Sequence, residues 1–212
     1  MNKSVEFTYR LKVGLLGWFA LGLQLYLIIN SALSKGISLL AEVVRFFSYF
    51  TILSNLLLAL CLTVPLVSRH SSPGRYFLRP AVQGAIAVYI IIVGITYSLM
   101  LRNIWNPQGR QLAADRLLHD AMPILYVLFW LILVPKGSLQ WKYAFVWLIF
   151  PAIYLAYTLI RGAMINWYPY PFLDVSTLGY GKMLQSALVM LAGFVVVGLL
   201  IIGIDRLLKK RR

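Results

Sequence analysis

Six continuous apolar runs, separated by short polar segments, set the pattern of this chain. The runs cover residues 13–33, 39–67, 81–101, 112–134, 143–160 and 183–204. Each is about 18 to 29 residues long, which is enough for a helix to cross the hydrocarbon core of a bilayer. The runs are continuous rather than alternating, so helices and not barrel strands are expected to satisfy the backbone. The pattern predicts an all-α protein, a single integral membrane domain of six transmembrane helices.

Composition and charge agree with a membrane protein. Hydrophobic residues make up 61% of the 212 residues, more than a soluble domain of this length can cover. The net charge is +14, but the cations lie in short segments between apolar runs, as they do in membrane proteins. We therefore expect the membrane as a partner and no nucleic acid. The first run is about twice as long as the apolar region of a signal peptide and is interpreted as an anchor.

The distribution of Lys and Arg predicts the orientation. Most of them lie in the N-terminal segment, the second loop, the fourth loop and the C-terminal tail. Because cytoplasmic segments carry an excess of cations, both termini are predicted to be cytoplasmic. The long third and fifth loops then face outward.

Polar side chains interrupt the second apolar run, where burial is costly unless they are paired or face a cavity. Ser48, Thr51 and Asn55 are spaced to share one helix face, and Arg45 extends that face by one turn. In one interpretation the hydroxyl groups bond the preceding helical turn or join neighbouring helices. In the other, the face lines a site. Arg45 either snorkels to the outer interface or binds an anionic group.

A second polar cluster, Asp115, His119 and Asp120, lies at the start of the fourth run. Asp115 and His119 are four residues apart and share a helix face, so the carboxylate can hold the imidazole in one tautomer. The alternative is a structural histidine, with both aspartates capping the helix start. The helix rise places Thr51 and His119 at similar depths in the outer half of the membrane.

The fifth loop contains the sequence WYPYPFLD at 167–174. Its two prolines exclude a regular helix, and its aromatic residues suit a membrane interface. The segment is either an interfacial loop or a lid over an outward-facing site. No combination of His, Cys and carboxylates has the spacing of a metal site, and no glycine loop is suited to phosphate, so neither metal nor cofactor is expected.

Short motifs spread over most of the chain resemble a known group of membrane proteins. They are FTILSN at 50–55, RNIWNP at 102–107, DRLLHDAMP at 115–123, YPYPFLD at 168–174 and GYG at 179–181. Together they resemble a bacterial family of small membrane proteins that is similar to the eukaryotic androgen-induced and androgen-dependent membrane proteins. Those are multi-span threonine hydrolases that cleave fatty acid esters of hydroxy fatty acids. The resemblance implies a protein of the bacterial inner membrane.

The resemblance also implies roles for individual residues. Thr51 matches the position of the threonine nucleophile, His119 matches the histidine, and Asp174 matches an acidic position. We therefore predict a membrane-embedded hydrolase of lipid esters in which Thr51 attacks the ester and His119 moves its proton. Asp115 is predicted to orient His119.

Other polar side chains are predicted to bind a lipid or fatty-acyl substrate. Ser54 or Asn55 is expected to donate to an oxyanion, and Arg45 to hold a carboxylate. Two alternatives stay open: a carrier whose polar path also engages Gln24, Gln83 or Thr96, and a structural membrane subunit. The predicted substrate-binding residues are Arg45, Ser48, Ser54, Asn55, Tyr170 and Asp174.

Overall fold

The computed structural model describes residues 3–209. It contains six helices that are long enough and apolar enough to cross a membrane. No β-strand occurs within that range. The predicted all-α architecture with six spanning helices is therefore confirmed, while the cytoplasmic position of the termini stays a prediction. The six helices are Lys3–Lys35, Phe50–Val67, Pro80–Leu101, Gly109–Leu133, Tyr143–Ile165 and Val175–Leu207.

Ten α-helical segments make up these spans and their connections. We number them α1 (Lys3–Lys35), α2 (Leu39–Phe46), α3 (Phe50–Val67), α4 (Ser72–Phe77), α5 (Pro80–Thr96), α6 (Gly109–Arg116), α7 (Met122–Leu133), α8 (Tyr143–Val146), α9 (Ile149–Ile165) and α10 (Val175–Leu207). The last of these is kinked at Gly179, where φ is 72° and ψ is 162°.

The second predicted span is not one continuous helix, and this corrects the sequence-based expectation. It contains α2 and α3, separated by a break at which Tyr49 has an extended backbone (φ −88°, ψ 128°). The hydroxyl of Tyr154 on α9 donates to the carbonyl of Ser48 at 2.9 Å, so a contact from a distant helix satisfies the interrupted backbone. Arg45 and Ser48 therefore do not continue the helix face that carries Thr51.

Two π-helical turns, Tyr97–Leu101 and Leu117–Ala121, extend α5 and join α6 to α7. Pro123 follows the second turn and has no N–H group with which to bond the carbonyl of His119, four residues earlier. Wider turns of this kind are found frequently at functional sites. Here they contain the side chains of Tyr97 and His119.

The core is arranged around α5, which packs against α3, α7 and α10. Ten of its 17 residues are buried. On the other side of α3 lies α1, and Gly14 permits the close approach of these two helices. A Cβ atom at Gly14 would lie 2.5 Å from the Cγ2 atom of Thr63. Because six spanning helices alternate in direction, the first, third and fifth connections share the end of the bundle opposite the start of α1 and the end of α10.

Candidate active site

Thr51 is the second residue of α3 and is buried. Its Oγ1 atom lies 3.3 Å from the Nε2 atom of His119 and 3.3 Å from the phenol oxygen of Tyr170. The backbone N–H of a residue in the first helical turn has no acceptor within the helix. In Thr51 this N–H donates to the Tyr170 hydroxyl at 3.2 Å. The structure thus gathers a hydroxyl, an imidazole and a phenol around one helix start.

The ring of His119 is held by Asp115, one helical turn earlier. Its Nδ1 atom lies 3.0 Å from the backbone carbonyl oxygen of Asp115 and 3.2 Å from the carboxylate Oδ1. A carbonyl oxygen accepts hydrogen bonds and cannot donate one, so Nδ1 carries the hydrogen. In the neutral ring Nε2 is then unprotonated and directed at the Thr51 hydroxyl. This is the tautomer that can accept a proton from Thr51.

Tyr97, which the sequence analysis missed, completes this arrangement. Its hydroxyl donates to the Oδ2 atom of Asp115. Its ring stacks on the ring of His119, with centroids 4.1 Å apart and an interplanar angle of 13°. Both carboxylate oxygens of Asp115 therefore have partners, and the imidazole is held from its edge and from one face. No spacing rule links Tyr97 to Asp115, because the two lie on different spans.

Neither aspartate of the fourth span caps its start, because the helix already begins at Gly109. Asp115 is buried inside α6. Asp120 accepts hydrogen bonds from Arg102 and, at 3.0 Å, from Arg116. Asp120 thus neutralises arginines beside the site, while Asp115 serves the histidine.

Two cavities meet at Thr51. The first, which we call the polar cavity, has a volume of about 450 Å³ and lies between α1, α2, α6 and the fifth loop. The second, which we call the apolar pocket, has a volume of about 70 Å³ and lies between α5, α9 and α10. Four residues line both: Thr51, Tyr97, Leu101 and Tyr170.

Segment 167–174 covers both cavities. Pro169 and Tyr170 line the polar cavity, and Phe172 and Leu173 line the apolar pocket. Burial raises the pKa of Tyr170 to about 12. The phenol is therefore protonated at neutral pH and has a hydrogen to donate.

Arg45 also reaches the polar cavity. Its Nη1 atom pairs with the carboxylate of Glu42 at 3.1 Å, and its guanidinium lies 4.6 Å from the ring centre of Trp167. Arg161 stacks on the same indole at 5.0 Å. Trp167 at the start of the covering segment is thus held by two cations from α2 and α9.

Three predicted substrate-binding residues serve packing instead. The amide nitrogen of Asn55 donates to the carbonyls of Thr51 at 2.9 Å and Leu118 at 3.2 Å, which fastens α3 to the turn carrying His119. Ser54 is wholly buried and lines neither cavity. Ser48 bonds the hydroxyl of Tyr157 at 2.8 Å. The expectation that Ser54 or Asn55 donates to an oxyanion is not supported, because both side chains face the helix packing.

Asp174 is the N-cap of α10 and accepts a hydrogen bond from the backbone N–H of Ser176 at 2.9 Å. It is not among the residues that line either cavity. In place of the predicted contact with substrate, the structure shows an N-cap hydrogen bond, in which the aspartate satisfies a free N–H of the first helical turn.

Comparison with known proteins returned no match: the chain matches no family model, no curated protein and no solved structure. The resemblance to the androgen-induced and androgen-dependent membrane proteins stays a prediction. Between residues 3 and 209, no three His, Cys, Asp or Glu side chains lie close enough to hold a metal ion. The arrangement that remains for chemistry is a hydroxyl, an imidazole, a carboxylate and two tyrosines.

Proposed function

We propose that this chain is a membrane-embedded hydrolase of lipid esters, in particular of fatty acid esters of hydroxy fatty acids. The observation that carries the proposal is the 3.3 Å contact between Thr51 Oγ1 and His119 Nε2, with Nδ1 of the same ring bonded to Asp115. A nucleophile, a base and a group that orients the base form a recurring set for covalent ester hydrolysis. The cation bias supports cytoplasmic termini, so the site faces outward from a bacterial inner membrane.

In the first half of the reaction, Nε2 of His119 takes the hydroxyl proton of Thr51 while Oγ1 bonds to the ester carbonyl carbon. The negative charge then develops on the former carbonyl oxygen. The Thr51 N–H donates to the Tyr170 hydroxyl oxygen, which lies beside Oγ1. When the Tyr170 hydroxyl moves to donate to this oxyanion, the Thr51 N–H is released and can donate to it as well. General-base assistance of this kind contributes about 10²- to 10⁴-fold.

The tetrahedral intermediate collapses when its bond to the alcohol oxygen breaks and His119 returns the proton to that oxygen. This leaves the acyl group esterified to Thr51. Water then gives a proton to Nε2 and attacks the acyl carbon, and the bond to Thr51 breaks with return of the proton to Oγ1. Asp115 and Tyr97 keep the ring in position during both proton transfers.

The test is ester hydrolysis by the purified protein in detergent, with medium- and long-chain esters and branched esters of hydroxy fatty acids. Thr51→Ala should abolish turnover and labelling by a fluorophosphonate probe, and Thr51→Ser should retain part of both. His119→Ala should lose nearly as much, and the double variant little more, because paired catalytic groups act as a unit.

A matched control is available on the same helix. Thr63 bonds the carbonyl of Ala59 at 2.8 Å and lines neither cavity, so Thr63→Ala should keep wild-type turnover. Wild-type turnover by Thr51→Ala would eliminate the hydrolase proposal.

A non-catalytic lipid carrier is the second candidate, and one observation favours it. Gln24 lines the polar cavity and Thr96 lines the adjoining apolar pocket, so both cavities carry polar groups outside the proposed catalytic residues. Gln83 lies elsewhere and donates to the carbonyl of Phe77 at 2.9 Å. Fatty acid binding by wild-type protein, without hydrolysis of any ester, would favour the carrier.

A further inference from the structure

We propose that the two cavities divide the ester between them: the acyl chain enters the apolar pocket with the carbons next to its carbonyl, and the alcohol portion, bearing hydrogen-bonding groups, lies in the polar cavity. This inference rests on the proposed hydrolase function and specifies its substrate class. The preferred substrate is then an ester of an apolar acyl chain with a polar alcohol. A wax ester, whose two arms are both apolar, should be a poor substrate.

The first support is the position of the nucleophile. Thr51 is one of only four residues that line both cavities within the described part of the chain. An ester carbonyl beside Oγ1 therefore has one arm directed towards each cavity. Leu101 and Tyr97 form the other shared wall, so the carbon under attack is enclosed from two sides.

The second support is the direction of proton transfer. The alcohol oxygen must receive its proton from His119, so it has to leave on the side where Nε2 lies. His119 and Asp115 line the polar cavity and not the apolar pocket. The alcohol arm is therefore assigned to the polar cavity, and the acyl arm to the apolar pocket.

The third support is the chemistry of the walls. The polar cavity has apolar walls as well, but beyond the shared residues it holds polar side chains that do not line the apolar pocket, among them Gln24, Glu42, Arg45 and Gln111. The amides of Gln24 and Gln111 bond each other at 2.8 Å. These groups suit an alcohol arm that carries its own hydrogen-bonding atoms. The apolar pocket is walled by side chains such as Ile92, Ala187, Met190 and Phe194. An acyl chain has no polar atom to satisfy and fits such a wall without an unpaired group.

The same assignment supplies water for the second half of the reaction. When the alcohol leaves, the polar cavity is vacated directly beside Nε2 of His119, while the acyl chain stays in the apolar pocket on Thr51. Water that enters the polar cavity meets the base and the acyl carbon together. In the opposite orientation the acyl chain would fill the space next to the base and exclude water.

The test compares two substrate series: acyl chains of increasing length on one polar alcohol, and polar or apolar alcohols on one acyl chain. Ala187→Leu narrows the apolar pocket and Met190→Ala widens it, while Gln24→Leu removes an amide from the polar cavity. Ala192→Leu is the control on α10 and Tyr26→Phe the control on α1, because both residues are exposed and line neither cavity.

Ala187→Leu should lower kcat/KM for the longest acyl chains about 10-fold or more relative to short acyl chains. Met190→Ala should raise kcat/KM for long acyl chains relative to short ones. Neither should change the preference among alcohols. Gln24→Leu should lower the preference for polar over apolar alcohols by a similar factor and leave the acyl-chain profile unchanged. The controls should match wild type in both series.

Three results would overturn the assignment. If Gln24→Leu alters the acyl profile and the α10 variants alter the alcohol profile, the two arms are reversed. If wild-type protein hydrolyses esters but no variant changes either profile, the hydrolase proposal survives and the division of the substrate does not. If no ester is hydrolysed and Thr51 is not labelled, the hydrolase proposal fails and this inference fails with it.

Discussion

Tyr170→Phe removes one hydroxyl from the candidate site and leaves its packing in place. The ring stacks on Phe172 with centroids 5.1 Å apart and an interplanar angle of 7°, and Phe can keep this contact. The hydroxyl accepts from the Thr51 N–H at 3.2 Å and lies 3.3 Å from Thr51 Oγ1. The variant therefore changes hydrogen bonding at the nucleophile without opening a large cavity.

The expected loss follows from the number of donors that remain. Removing one donor to an oxyanion typically costs about 10²- to 10³-fold in kcat. In Tyr170→Phe the Thr51 N–H is released and can still donate, so we expect the lower end, about 100-fold, or about 2.7 kcal/mol in the barrier. KM should change little, because the substrate carbonyl carries a full charge only in the transition state. The free energy of unfolding should fall by about 1 kcal/mol for the lost hydrogen bond.

The assay is steady-state hydrolysis in detergent, with kcat and KM determined separately and the melting temperature measured on the same samples. Tyr157→Phe is the matched control: it loses a bond of 2.8 Å to Ser48, but Tyr157 lines neither cavity. Its kcat should equal that of wild type. If Tyr170→Phe keeps kcat within about threefold of wild type, the tyrosine does not donate to the oxyanion and the reasoning fails.

Two further variants test the surroundings of the site, and a third tests a lysine in the fourth loop. Tyr97→Phe keeps the ring on His119 but loses the hydrogen bond to Asp115. Acid–base catalysis contributes about 10²- to 10⁴-fold in rate, and we expect kcat to fall by about tenfold of this. An unchanged kcat would exclude the positioning role of Tyr97. Asp174→Ala should lower the free energy of unfolding by about 0.5–2 kcal/mol and leave KM unchanged, because its carboxylate caps α10. A large rise in KM would instead support the predicted contact between Asp174 and substrate. Burial lowers the pKa of Lys136 from 10.5 to about 8. The Lys136 amine therefore binds its proton more tightly in the unfolded chain than in the folded one, so the melting temperature should rise with pH above about 8. Lys136→Met should flatten that rise.

The sequence alone determined the number of spanning helices and the approximate limits of the third, fourth and fifth. An apolar run must bury its backbone polar groups within its own helix, so run length is sufficient to predict a span. The same rule marked Thr51, Asp115 and His119 as candidates, since each is a polar group in an apolar setting. Spacing also predicted that Asp115 and His119 share a helix face, which the 3.2 Å contact between them bears out.

Only the tertiary structure decided which polar groups meet. At the break before Phe50, the carbonyl of Ser48 accepts a hydrogen bond from Tyr154, which lies more than a hundred residues away and shows no periodic relation to it. Tyr97 reads as an ordinary aromatic residue of a span until folding brings it to Asp115. Tyr170 was predicted to bind substrate, but only the fold shows that its hydroxyl lies beside Thr51. Helical periodicity describes one helix at a time, whereas contacts between helices depend on how their faces pack, and that depends on the whole bundle.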